Sequence, residues 1–532
     1  MGAKQVLNKT NIRVLLLVLF LHLLMVLPHN LICTAFAATR TSAASGNWSA
    51  DATWGGTAPV DGDDVVINSG YIVTLDTTAS PRNVTITAPT SNGTSTLAIG
   101  ANTLNITGSL TLNGGGNNNR RAALTISTGT VTISGSISAP TQAGRTDITF
   151  SSNGVLNIAG DFASGINFTA STGTVTYTGG NQSAGGTYTY NDLIISSSGT
   201  VTLGGNTIVN GNLTINSGTL DNSNRTLSVA GNYSNSGTHN IANTFSVSGT
   251  SDVSGTLNIT STTGTKTFTG LVTVNSGGTW NNSGNETVAF DDGLTTSGTF
   301  TGGSGTNTIT GNLTVSAGTL SFNGTTSVSQ ATTISGTATF AGSTTLSSTL
   351  SIAAGGTLNT SNGLSVGTTT DISGALNVTG TAGNKTFTEA VTINSGGSFN
   401  ITVNETVALS GGLINNGTWN NSGNGAVTLQ EGLTNNDTFT SGTGTYTFGA
   451  DQAINGSNAI TFSGAVAISN GVTVTNDITV TVSGAITGGN NSSTWENAAN
   501  STLNIGGSLL TTGTLTATAN PNTVNYNGAG NQ

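Results

Sequence analysis

The chain has 532 residues, of which only 6% are charged, with 76 glycines and an excess of acids (21) over bases (11). A typical soluble domain carries about 25% charged residues; this acidic, base-poor chain lacks the basic patch that nucleic acid requires and the charge that draws proteins to anionic membrane surfaces. The 34% hydrophobic content falls in short alternating runs such as GTVTISGSIS and NGNLTINSGTL, a pattern of half-buried strands rather than of a disordered low-complexity chain.

The first predicted element is a leader. Lys4, Lys9 and Arg13 precede an apolar run from Val14 to Leu27, broken only by His22, and Ala35-Phe36-Ala37 follows. This order predicts a secretory signal peptide over residues 1–37, cut after Ala37. The apolar run falls short of the roughly 20 residues that a membrane span needs. Cys33 follows Ile32, where lipidation requires a small residue. Cleavage removes this sole cysteine, so the mature segment has no disulfide or thiolate chemistry. It leaves His239 as the only histidine and Lys266 and Lys385 as the only lysines. The expected localisation is secreted or cell-surface, without membrane insertion by the mature segment.

Residues 45 to 76 read SGNWSADATWGGTAPVDGDDVVINSGYIVTLD. Trp48, Trp54 with Gly55 and Gly56, and the run from Pro59 to Asp76 resemble the opening of the eight-glycine domain family. The resemblance covers about residues 45 to 110. It implies an extracellular, strand-rich domain and brings no catalytic residue. Similar openings precede long β-helical repeats in bacterial surface proteins, and the later repeats here resemble adhesin-like β-strand-repeat proteins in texture. Residues 38–110 are therefore expected to cap the structure, since a bare terminal coil exposes unpaired strand edges. The acidic group Asp61, Asp63 and Asp64 is a candidate calcium site, with a solvated polar turn as the alternative. No other cofactor is suggested.

Beyond residue 110 the chain repeats. The segment Gly277 to Phe300 recurs without a gap 119 residues later, as Gly396 to Trp419. A smaller unit underlies the copy: Gly, then Thr or a small substitute, then an apolar residue. The apolar slot is filled by Leu220, Leu257, Trp280, Phe300, Leu320, Ala338, Leu358, Leu376, Phe399, Trp419 and Phe439, with His239 between the first two. Val131, Leu156, Val175 and Val201 continue it more loosely towards the N-terminus. A period of about 20 residues with strand alternation and Gly, Asn and Ser turns predicts a solenoid. We expect an all-β fold, a right-handed parallel β-helix of about three short strands per coil. Residues 60 to 532 would make roughly 23 coils and a rod on the order of 110 Å. Asn281-Asn282 and Asn420-Asn421 are expected to stack into ladders. The Trp and Phe slots exchange with Leu, which points to an internal stack rather than an exposed sugar-binding strip.

The chain closes on NTVNYNGAGNQ. Similar stretches from Gly173 to Ser196 and Gly444 to Ser463 run on into further strands, so the repeat region 111–532 is expected to be truncated at its C-terminus.

Three function classes follow. The favoured one is a non-catalytic structural or adhesive rod, secreted or surface-displayed, whose partners are glycans or a host or matrix surface. A polysaccharide lyase or hydrolase is the second, but it needs clustered carboxylates, and Asp291-Asp292 becomes Ser410-Gly411 in the copy. Glu286 and Glu405 repeat, as do Lys266 and Lys385, a sign of coil-to-coil structure; Arg120-Arg121 is read as a solvated loop. The third is ice or surface binding, for which Thr174-x-Thr176, Thr200-x-Thr202, Thr267-x-Thr269 and Thr479-x-Thr481 have the right spacing.

Overall fold

A computed structural model describes residues 37–529; the expected leader, apart from its last residue Ala37, lies outside them. The chain winds into a parallel β-solenoid of about 23 turns. One coil shows the plan. Thr256–Ile259, Lys266–Phe268 and Val272–Val274 form three short strands. The next coil lays Thr279–Asn282, Val288–Phe290 and Gly293–Thr296 on them in parallel register. Alternation along each strand turns every second side chain inward, and the burial of Thr279–Asn282 alternates accordingly.

The register explains the repeated slot. Leu220 pairs with His239, His239 with Leu257, Leu257 with Trp280 and Trp280 with Phe300. The file continues through Leu320, Ala338, Leu358 and Leu376 to Phe399, Trp419 and Phe439. These residues are buried, except Phe439, which is half-buried. The rings stack on one another: Trp280 and Phe300 lie 5.2 Å apart, and Trp419 and Phe439 6.1 Å apart. Burying one such apolar side chain contributes about 1.5–3 kcal/mol, and a coil completes that burial only with its neighbours.

The glycine of the repeat has a steric cause. A Cβ on Gly298 would stand 2.3 Å from the carbonyl oxygen of Gly278 in the preceding coil. Gly318, one coil further, adds a backbone φ of +65° and would meet the Gly298 oxygen at 2.1 Å. The corner where coils touch backbone to backbone has no room for a side chain.

The early windings are longer and less regular, and they correct one reading of the sequence. Val175 pairs with Leu193, not with Val201. Val201 belongs to the lower half of the long strand Asp192–Leu203, where it lies between Gln182 and Leu220. The two valines stand on different files because this strand runs through a corner with register shifts. Residues 38–110 are wound in the same way: Thr39–Thr41 pairs with Asp64–Ile67, which pairs with Asn83–Thr87. A four-residue helix, Asp51–Trp54, ends on left-handed Gly55. It packs Trp54 edge-on against Trp48 at 5.4 Å, with the Trp54 Nε1 donating to the Trp48 carbonyl at 2.8 Å.

Inward and outward positions differ sharply in their tolerance. Leu358→Ala is expected to destabilise the rod by about 2–5 kcal/mol and to reduce amide-exchange protection in the adjoining coils of Ala338 and Leu376. Thr357→Ala, on the outer face of the same strand, is expected to change stability by no more than about 0.5 kcal/mol in the same chemical-denaturation and exchange measurements.

Candidate functional surface

The acidic group near the N-terminus is engaged in pinning the first coils. Asp63 is buried and accepts hydrogen bonds from the Ala38 N–H at 2.9 Å, the Arg40 Nε at 3.0 Å and the Val60 N–H at 3.1 Å. Burial alone would raise its pKa; the hydrogen bonds from Val60, Arg40 and Ala38 outweigh it and hold the carboxyl below its usual value. Asp64 accepts from the Arg82 guanidinium and from Asn83 Nδ2, and Arg82 holds its pKa down against burial. Asp61 Oδ1 accepts from the Ser80 N–H at 2.9 Å. The three accept from different donors. Among the described residues no group of three His, Cys, Asp or Glu side chains is placed to hold a metal ion.

The other titratable residues divide between surface and interior. Asp291 and Asp292 lie exposed in the bend between Val288–Phe290 and Gly293–Thr296. Arg120 and Arg121 open the strand Arg120–Ile126 rather than a loop, and Arg121 grips Asp147 of the next coil with two nitrogens. His239 is fully buried, and its Nδ1 lies 3.0 Å from the Tyr233 hydroxyl. Burial lowers its pKa from 6.5 to about 3. Lys266 and Lys385 point inward, where apolar residues stand in neighbouring coils: Lys266 pairs with Phe245 and Val288, and Lys385 with Leu364 and Val407. Each meets a glutamate of the next coil, Glu286 at 3.1 Å and Glu405 at 3.2 Å.

What remains for contact with other molecules is the outer surface, and one face of it is distinctive. Most strands on two faces of the repeat region have three residues and show one outward side chain each, as in Thr344–Leu346. On the third face many strands have four, and outward positions there come in pairs about 6.6 Å apart along the strand. One column holds Thr238, Thr256, Thr279, Thr299, Thr319, Thr337, Thr357, Ala375, Ser398, Thr418 and Thr438. The register aligns them coil upon coil. The parallel column holds Asn, Thr or Ser throughout, from Asn240 and Asn258 to Asn420 and Thr440. Successive rows stand about 4.8 Å apart, and no charged residue interrupts either column between Thr238 and Thr440.

Hydrogen bonds stiffen the second column. Asn258 donates to Asn240 at 3.0 Å, Asn377 to Asn359 at 2.9 Å, Asn400 to Asn377 at 2.9 Å and Asn420 to Asn400 at 3.4 Å. Asn282 and Asn421, expected in the same ladders, point inward instead. Asn282 Nδ2 donates to the carbonyls of Glu286 and Gly302, and Asn421 Nδ2 to those of Gly425 and Ser441, so each staples a turn. The Thr-x-Thr pairs singled out in the sequence do not make up this grid. Thr200 and Thr202 lie in register just before it, beside Thr219 and Asp221; Thr267 belongs to another face, and Thr174 and Thr479 to other coils. The signal that would have found the grid is the outward residue on either side of each repeat slot.

The buried histidine makes a pH test possible. A folded pKa of about 3 against 6.5 when unfolded means that stability is whole above pH 6.5 and falls as acid protonates the unfolded chain first. The loss grows down to about pH 3 and reaches about 5 kcal/mol. His239→Leu is expected to lose this portion of the pH dependence; denaturation midpoints of both proteins between pH 7 and 3 measure the difference. No family model, curated protein or solved structure matches the chain.

Proposed function

We propose that the protein is a secreted or surface-displayed adhesive rod, non-catalytic over the described residues, whose neutral hydroxyl and amide grid is its binding face. The observation that carries this reading is the pair of uncharged columns from Thr238 to Thr440, polar at every position but Ala375 and held at fixed spacing by strand register. A flat array of neutral donors and acceptors suits an extended polyhydroxylated surface, such as a glycan or matrix layer, through many weak contacts acting together. The solenoid supplies length and stiffness. The leader-like start and the resemblance of residues 45 to 110 to eight-glycine domains support an extracellular setting. No helix among the described residues is long and apolar enough to cross a membrane. The reading as non-catalytic is supported by the engagement of Asp63, Asp64, Asp147, Glu286 and Glu405 in pairs with basic side chains.

The same grid supports a second reading, binding to ice, because a repeating lattice of Thr hydroxyls can match ordered water. Thermal hysteresis of the purified chain separates the two.

The test is depletion of the purified chain from solution by insoluble polysaccharides, together with a glycan array. Binding without release of soluble product is expected. The triple variant Thr299→Glu, Thr319→Glu, Thr337→Glu is expected to weaken binding at least about tenfold, since three contacts worth about 0.5 kcal/mol each multiply to that factor. Thr308→Glu with Thr345→Glu, on another face, is expected to leave binding intact. Equal losses from both variants, or sugar release by the unaltered chain, overturn the proposal.

A further inference from the structure

The two lysines beyond the leader region, Lys266 and Lys385, stand 119 residues apart in the two copies and occupy corresponding positions. Both are fully buried, and each faces a buried glutamate of the following coil. A chain of this length that keeps lysine nowhere else beyond its first residues, and places both copies inside its core, uses them for something that a surface charge does not supply. A buried ion pair is a poor stabiliser, because the cost of removing two charges from water rivals their attraction.

The geometry at the pairs is that of an amine held against a carboxyl group. Lys266 Nζ lies 3.1 Å from Glu286 Oε2, and the backbone carbonyls of Ser261, Thr263 and Gly264 at 3.2, 2.8 and 3.4 Å orient its hydrogens. The other carboxyl oxygen, Oε1, accepts the Thr287 N–H at 3.0 Å. The copy repeats this arrangement except for the alignment of one contact. Lys385 Nζ lies 3.2 Å from Glu405 Oε2 and is oriented by the carbonyls of Gly380, Ala382 and Gly383, while Glu405 Oε1 accepts the Thr406 N–H at 2.9 Å. Glu405 Oε2 is buried, and at that distance Lys385 Nζ is not aligned to hydrogen bond with it.

The geometry points to intramolecular isopeptide bonds, Lys266 to Glu286 and Lys385 to Glu405, as covalent staples between successive coils. In a dry site the ammonium hands one proton to the carboxylate, giving a neutral amine and a neutral acid. Nζ adds to Cδ, and negative charge develops on Oε1, where the Thr287 or Thr406 N–H already donates, as an oxyanion-stabilising group must. Oε2 then leaves as water with a second proton from Nζ. One C–N bond forms and one C–O bond breaks, with no oxidant or co-reactant. The product replaces two buried charges with a neutral amide, which removes the cost of holding them in the core. The only cysteine is Cys33, so disulfides cannot serve as staples in the described rod. Its coils touch only their neighbours, so a covalent tie between two of them stops unwinding from spreading along the solenoid.

Intact-mass spectrometry of the whole chain, purified under native conditions, tests this. The expected mass is lower than that of the sequence, corrected for the observed N-terminus, by two water molecules, and digestion is expected to release branched peptides joining the Lys266 and Glu286 segments and the Lys385 and Glu405 segments. Lys266→Ala is expected to show a deficit of one water, and the double variant with Lys385→Ala none. After denaturation, neither lysine of the unaltered chain is expected to react with an amine-acylating reagent. A mass equal to that of the sequence, with both amines reactive, overturns the proposal. A deficit of one water upholds it for the pair found in the branched peptide and overturns it for the other.

Discussion

Everything in this molecule depends on one constraint: the inward side of each coil is fully covered only when other coils lie above and below it. The constraint acts through parallel register, which places each inward residue over its counterpart one repeat away. It explains why the slot tolerates Leu, Phe, Trp and Ala in turn. What must be conserved is a filled interior, so a small residue at one position is met by a large one nearby. Ala338, between Leu320 and Leu358 in its file, is followed two positions on by Phe340, whose ring lies 6.1 Å from that of Phe322. Volume is balanced within a coil and between coils.

The interior is not purely apolar, and its polar members are in the main paired. Asn282 and Asn421 complete turns, Asn415 donates to Asn435 at 2.8 Å, Trp419 donates to the Tyr446 hydroxyl at 2.9 Å, and His239 pairs with Tyr233. A buried polar group left unpaired costs more than its partnered form returns. These pairs therefore make particular coils distinct, and they discourage slippage of a repetitive chain by one winding.

The pattern of the outer surface follows from strand length. A three-residue strand with two inward ends leaves one side chain outside, whereas a four-residue strand leaves two. The polar grid arises where the longer strands stack, so the same register that buries Leu257, Trp280 and Phe300 sets out Thr256, Thr279 and Thr299 beside them. Core and surface are two readings of one alternation. The described surface thus repeats the same pair of outward positions from coil to coil.

Much of this was legible in the chain before it was folded. The spacing of Leu220 through Phe439 identified the coil, because any solenoid must return an apolar residue to the interior once per winding. Exchange among Leu, Phe and Trp marked that slot as a core position for the same reason. Register was not legible where coil length varies. Val175 and Val201 look alike in sequence, but a corner in the strand Asp192–Leu203 separates their files. Nor was orientation legible for polar residues. The repetition of Lys266 and Lys385 marked coil-to-coil structure, but their inward direction came only with the strand pairing that put them over Phe245 and Leu364, and adjacent asparagines such as Asn420 and Asn421 proved to face opposite sides. Periodicity alone determines that the chain coils and roughly how often. Which side chains meet across coils is decided only by tertiary structure, because a loop one residue longer or shorter shifts the following strand and alters every contact along it.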